Sequence, residues 1–141
     1  MEFQELIKKH ETELNEFSKD KIFFIFGSSQ EEILNKMQES NLNPNDLIGI
    51  GLSGYIKKEY YNEFKEILKR QAKEQHEYTL NNMYEVVKHY CWNYEIEISL
   101  SYSYNDVLTV LIGLNETEIK EHEKEIKQAF KDYKKEFYEL N

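Results

Sequence analysis

The chain has 141 residues and 17.1 kDa, enough for one domain that buries roughly 68% of the surface its unfolded form exposes, and too little for a second of full size. With 40% hydrophobic residues, 11 Tyr and 8 Phe, it holds the apolar material of a core, which argues against global disorder. Twenty-seven carboxylates against 18 Lys and Arg leave a formal charge of −9, a sign that opposes broad affinity for nucleic acid or anionic lipid.

Chain order gives the elements. Phe3, Leu6, Ile7, His10, Leu14 and Phe17 recur at helical spacing and predict an amphipathic helix over 2–18. The apolar run Ile22-Phe23-Phe24-Ile25-Phe26 predicts a strand buried on both faces, ended by Gly27. Ser29 with Glu32 reads as a capping box for a helix that ends near Ser40. Asn43-Pro44-Asn45-Asp46 is a turn signal. The apolar, glycine-interrupted stretch Leu47–Ile56 predicts a strand or a hairpin turning around Ser53-Gly54. Two helices follow, from Glu59 to about Gln75 and from Leu80 to Cys91, with a polar break at His76–Thr79. Ile96, Ile98, Leu100, Tyr102 and Tyr104 alternate with Glu and Ser, the clearest period-two pattern in the chain, and predict a strand. Asn105 is placed to cap a short helix closed by Gly113, and Asn115 with Glu118 a final helix over 116–139. The expected fold is a single α+β domain over 1–141, a small mixed or antiparallel sheet packed by several amphipathic helices.

Function is less legible. Cys91 is the only cysteine, which rules out an intramolecular disulfide or a multi-thiolate zinc site and suggests a reducing compartment. The first 20 residues lack a signal-peptide apolar core, and no run approaches the ~20 apolar residues of a membrane span; a cytoplasmic protein is expected. Four scattered histidines offer no i, i+4 metal pair, so neither a metal nor another cofactor is expected.

Gly49-Ile50-Gly51-Leu52-Ser53-Gly54 matches GxGxxG, but the segment some 20 residues on still reads as helix, where a dinucleotide fold would place an acidic strand end. Two readings stay open: glycines that serve a turn, and an anion-binding turn in which Gly51, Ser53 and Gly54 act with Lys57 and Lys58. Tyr55 stands where a nucleophile elbow needs glycine, leaving Ser53 without motif support as a nucleophile. Gly27-Ser28-Ser29 at a strand-to-helix junction is a second anion candidate, with plain N-capping as its alternative. Asn93 and Glu95, beside Trp92 and Tyr94, are candidate ligand contacts or a helix-end cap. No catalytic residue set emerges.

Three stretches combine: Phe23-Phe24-Ile25-Phe26, Leu47 through Lys58, and Tyr90-Cys91-Trp92-Asn93-Tyr94-Glu95-Ile96. Across residues 20–114 they resemble an uncharacterised group of small phage and mobile-element proteins of low-GC Gram-positive bacteria. The group's Gly-x-Gly-Gly-aromatic pattern reads Gly51-Leu52-Ser53-Gly54-Tyr55 here, and its Asn-His-Glu triplet reads Asn93-Tyr94-Glu95. The resemblance implies a viral or mobile-element setting and carries no statement about catalysis.

The first functional expectation is an acidic, non-enzymatic binding protein that counters a host protein, in particular a nucleic-acid-binding defence enzyme, by presenting its carboxylates to a basic groove. Direct nucleic-acid or membrane binding is not expected. The alternative is a small-ligand protein, enzyme or nucleotide-sequestering module, that uses the glycine segment with Lys57, Lys58, Asn93 and Glu95. A third reading is a homodimer through the last helix, where Ile119, Ile126, Tyr133 and Leu140 recur at spacing seven.

Overall fold

A computed structural model describes residues 1–140 as an α+β fold. Its contacts divide into two compact units, Met1–Glu74 and the residues from Gln75 onward.

In the first unit, α1 (Phe3–Ser18) buries Phe3, Leu6 and His10, the stripe its periodicity foretells. It runs antiparallel to the start of α3 (Tyr61–Asn81), because the paired positions descend along one helix as they rise along the other. His10 Nε2 lies 2.6 Å from Glu74 Oε2, Gln71 donates to the His10 carbonyl at 3.0 Å and to Glu13 at 2.7 Å, and Phe17 stacks on Phe64. The Gln71 hydrogen bond to Glu13 and the His10 hydrogen bond to Glu74 hold both carboxyls below their ordinary range, helped by Arg70, which bridges the two.

The sheet has the order β1-β3-β2, all antiparallel, from β1 (Ile22–Phe24), β2 (Leu47–Gly51) and β3 (Gly54–Lys57). Phe23 pairs with Tyr55, and with Ile25, Met37 and Leu47 they form a small core to which α2 (Gln30–Glu39) contributes Ile33 and Met37. Alternation sends Ile56 to the opposite face, where it is fully buried in register with Ile22 and Ile48. The expectation of a first strand buried on both faces is corrected: β1 is an edge strand, and Phe24 and Phe26 are 63% and 62% exposed. An unbroken apolar run does not distinguish a central strand from an edge whose outer side chains stay uncovered.

Local chemistry sets the ends of α2. Ser29 accepts from the Glu32 N–H, whereas the Glu32 carboxylate receives the backbone N–H and hydroxyl of Ser28 rather than closing back on Ser29. At the other end Asn41 takes a left-handed φ of 60°, and the Asn41 and Leu42 N–H groups donate to the Gln38 and Met37 carbonyls, a Schellman stop with its Leu42–Met37 apolar contact.

The second unit is helical. The expected break at His76–Thr79 is absent, since α3 continues to Asn81 and α4 (Met83–Asn93) begins after Asn82. Thr79 returns its hydroxyl to the Gln75 carbonyl at 2.8 Å, so the polar residues there are accommodated inside the helix. After α5 (Tyr104–Asp106) a π-helical turn, Val107–Ile112, is closed by Gly113 at φ 78°. The expected final helix is two: α6 (Glu116–Glu121), opened by the Asn115–Glu118 capping box, and α7 (Glu123–Leu140), separated at His122. α4 and α7 run parallel, because Tyr84 meets Asp132 and Lys88 meets Glu136 one turn on. Between them lie Val87, Cys91, Ile126, Ala129 and Tyr133, with Trp92 edge-on to Tyr133 at 4.9 Å. Burial pushes the Cys91 thiol up to about 12, leaving little reactive thiolate at neutral pH.

The predicted strand at 96–104 does not form. Glu95 adopts φ 47°, and the Glu95 and Ile96 N–H groups donate to the Trp92 and Cys91 carbonyls, a second Schellman stop for α4. Beyond it Ser99 accepts from the N–H groups of Ser101 and Tyr102, and Ser103 caps α5, not Asn105. These serines satisfy the backbone locally and remove its need for a partner strand. Leu100, on the would-be apolar face, is wholly exposed.

Glu97, within that segment, receives the hydroxyls of Tyr104 and Tyr138. The Tyr104 bond is the main cause that lowers its pKa from 4.5. A folded-state pKa below the unfolded one means that the stabilisation is present above about pH 4.5 and is lost as pH falls through the folded value. Glu97→Gln is therefore expected to lower the melting temperature at neutral pH by more than it does well below pH 4.5. A thermal-melt series across that range checks this, and a gap that stays constant would refute it.

Candidate functional site

The glycine segment forms the β2–β3 hairpin. Gly51 and Gly54 face each other across a two-residue turn, Leu52-Ser53, one position earlier than the sequence suggests. Both turn residues have positive φ, 52° and 62°, as the hairpin-favoured type I′ turn requires. Asn-Gly suits such a turn, whereas a bulky side chain there is strained. Gly54 is needed for space: a Cβ would come 3.2 Å from the Gly51 carbonyl oxygen and 3.3 Å from the Phe24 ring. The Ile25 N–H donates to the Ser53 carbonyl at 2.9 Å, which brings the end of β1 alongside the turn.

Leu52 is 94% exposed at this tip, and Phe24, paired with Gly54 on the neighbouring strand, is exposed as well. Sequence reasoning singled out the glycines around Leu52 and passed over Leu52 itself. The signal lay in the sequence: an apolar residue held between turn glycines where polar residues normally serve.

The remaining sequence candidates divide. Lys57 and Lys58 lie at the far end of β3 from Gly51, Ser53 and Gly54, where with Asn41, Asn43 and Asp46 they line a hollow of about 600 Å³ that carries both signs of charge. Lys57 also sits 5.7 Å over the Phe23 ring. β3 thus separates the glycine turn from the lysines instead of folding them into one cradle. Asn93 and Glu95 belong to the second unit, both exposed, where Glu95 supplies the left-handed residue that stops α4. At the Gly27-Ser28-Ser29 junction the Ser28 N–H and hydroxyl both donate to the Glu32 carboxyl and hold it below the ordinary range, while the Ser29 hydroxyl accepts from the Glu32 N–H. A carboxylate of the chain itself thus occupies the two Ser28 donors that an external anion would use.

Charge also differs between the units. The first carries 14 carboxylates and 11 Lys or Arg, the second 13 and 7, so the net values are −3 and −6. Among the described residues no helix is long and apolar enough to cross a membrane, and no three His, Cys, Asp or Glu side chains are grouped to hold a metal ion.

The sequence profile of a family of unknown function (DUF7659) matches residues 2–136. No curated protein and no solved structure matches the chain.

Proposed function

The chain belongs to that family of unknown function, and we propose that it acts as an acidic, non-enzymatic binding protein whose contact surface is the hairpin tip, with Leu52 as anchor and the exposed Phe24, opposite Gly54, as a second apolar contact. One observation carries this reading: Leu52 combines a left-handed backbone with 94% exposure. The conformation costs on the order of 1–2 kcal/mol for a side chain with a Cβ, and the exposed side chain recovers nothing by burial. A residue that strains its backbone with no return from burial serves something outside that fold. Apolar anchors in water-excluding contacts dominate binding energy, and charge of −9 steers the encounter toward a basic partner. A protein with a basic, nucleic-acid-binding surface fits that charge. In the phage or mobile-element setting that the resemblance implies, it is a host defence enzyme.

The test replaces the turn by the sequence its geometry prefers, Leu52→Asn with Ser53→Gly. Unfolding free energy is expected to rise by about 1 kcal/mol, while a partner recovered from lysate by the natural chain is lost. Chemical denaturation and quantitative pull-down read the two outcomes. A more stable variant that retains its partner would overturn the reading.

A further inference from the structure

A second surface, on the helical unit, carries its own signature. Leu108, Ile119, Ile126 and Phe130 line an apolar groove of about 550 Å³ between the π-helical turn and the α6–α7 pair. Four charged residues share that lining: Glu116, Lys120, Glu123 and Lys127.

We propose that this groove is the contact surface of an antiparallel homodimer, covered by the same groove of a second copy. Charge order identifies the occupant. Along the chain the four positions read minus, plus, minus, plus, and they are symmetric about a point between Glu121 and His122, where α6 gives way to α7. A two-fold axis there sets Glu116 against Lys127 of the second copy and Lys120 against Glu123, and repeats both pairs by symmetry. All four contacts are of opposite sign. Parallel pairing would instead set like against like at every position, so the same residues select the antiparallel arrangement. The second copy then covers Ile119 and Phe130, which the monomer leaves half-buried, above Leu108 and Ile126, which are already buried.

This contact differs from the seam that spacing seven suggests. Tyr133 of that seam is fully buried beside Trp92 within the unit and is not offered to a second copy. The ordinary alternative is a solvated helix face with intrahelical pairs, of which Glu123–Lys127 is present at 2.6 Å. Intrahelical pairing explains the i, i+4 spacing but not four charges around one apolar groove.

Sedimentation velocity on the full chain, over a concentration series, is the experiment. The natural chain should associate to a dimer. Lys120→Glu with Lys127→Glu, and separately Glu116→Lys with Glu123→Lys, should each weaken self-association by about 100-fold. An equimolar mixture of the two variants should recover the dimer as a heteropair, since one now presents four carboxylates and the other four ammonium groups. Recovery on mixing also demonstrates that both variants are folded, and circular dichroism checks their helix content separately. A natural chain that remains monomeric at every concentration, variants that dimerise undiminished, or folded variants that fail to pair on mixing would each overturn the proposal.

Discussion

Tyr133→Ala is expected to lower the unfolding free energy by about 3–5 kcal/mol, whereas Tyr133→Phe should leave it unchanged or raise it by up to about 1 kcal/mol. The ring is fully buried and packs against Trp92 at 4.9 Å, Phe137 at 5.9 Å and Tyr104 at 6.4 Å, so its removal leaves a cavity between α4 and α7. The hydroxyl is different. It is buried without a partner at hydrogen-bonding geometry, and burial raises its pKa, a rise partly offset by the nearby Glu97 and Ile96 backbone. A buried donor with nothing to donate to is a cost of folding, which phenylalanine removes. Urea titration of both variants checks the pair. A loss with Tyr133→Phe as large as that of Tyr133→Ala would show that the hydroxyl, not the ring, holds the helices together.

The second large effect is at the centre of the sheet. Ile56→Ala should lower the unfolding free energy by about 2–5 kcal/mol and Ile56→Val by about 0.5–1.5 kcal/mol. Ile56 is fully buried on β3, the strand paired on both sides, in register with Ile22 on one neighbour and Ile48 on the other. Amide exchange gives the local readout: the Ile25 and Lys57 N–H groups, which donate to the Ser53 and Lys21 carbonyls across the β1–β3 pair, should lose protection. Equal losses for Val and Ala would contradict the burial argument, because the loss of one carbon and the loss of three would then count alike.

Helices were legible where apolar spacing or a capping residue marked them. The α1 stripe, the Ser29 cap of α2 and the Asn115–Glu118 box of α6 each rest on interactions within a few residues of the chain. The hairpin was legible for the same reason, since a turn between Gly51 and Gly54 is a local event. Failures came where a local pattern had two outcomes. Residues 96–104 alternate like a strand, yet serine hydroxyls and a left-handed Glu95 offered the backbone nearer partners than another strand could. The stretch Ile22–Phe26 is apolar throughout, and only what other segments bring against each side chain decides that Ile25 is buried while Phe24 and Phe26 face water.

The candidate site followed the same rule. Glycines mark the turn in the sequence, but whether Lys57, Lys58, Asn93 and Glu95 join them depends on where β3 and α4 end, and the structure places the lysines across β3 and the other two in a separate unit. The amino-acid sequence by itself determined the acidic charge, the lone cysteine, the Ser29 and Asn115 caps and the hairpin, because each is a property of composition or of neighbours along the chain. Only the tertiary structure decided which apolar side chains are covered: Ile56 and Tyr133 vanish into cores, while Leu52 and Phe24 stay in water. Burial depends on what other segments bring to the same place, and periodicity alone does not carry that information.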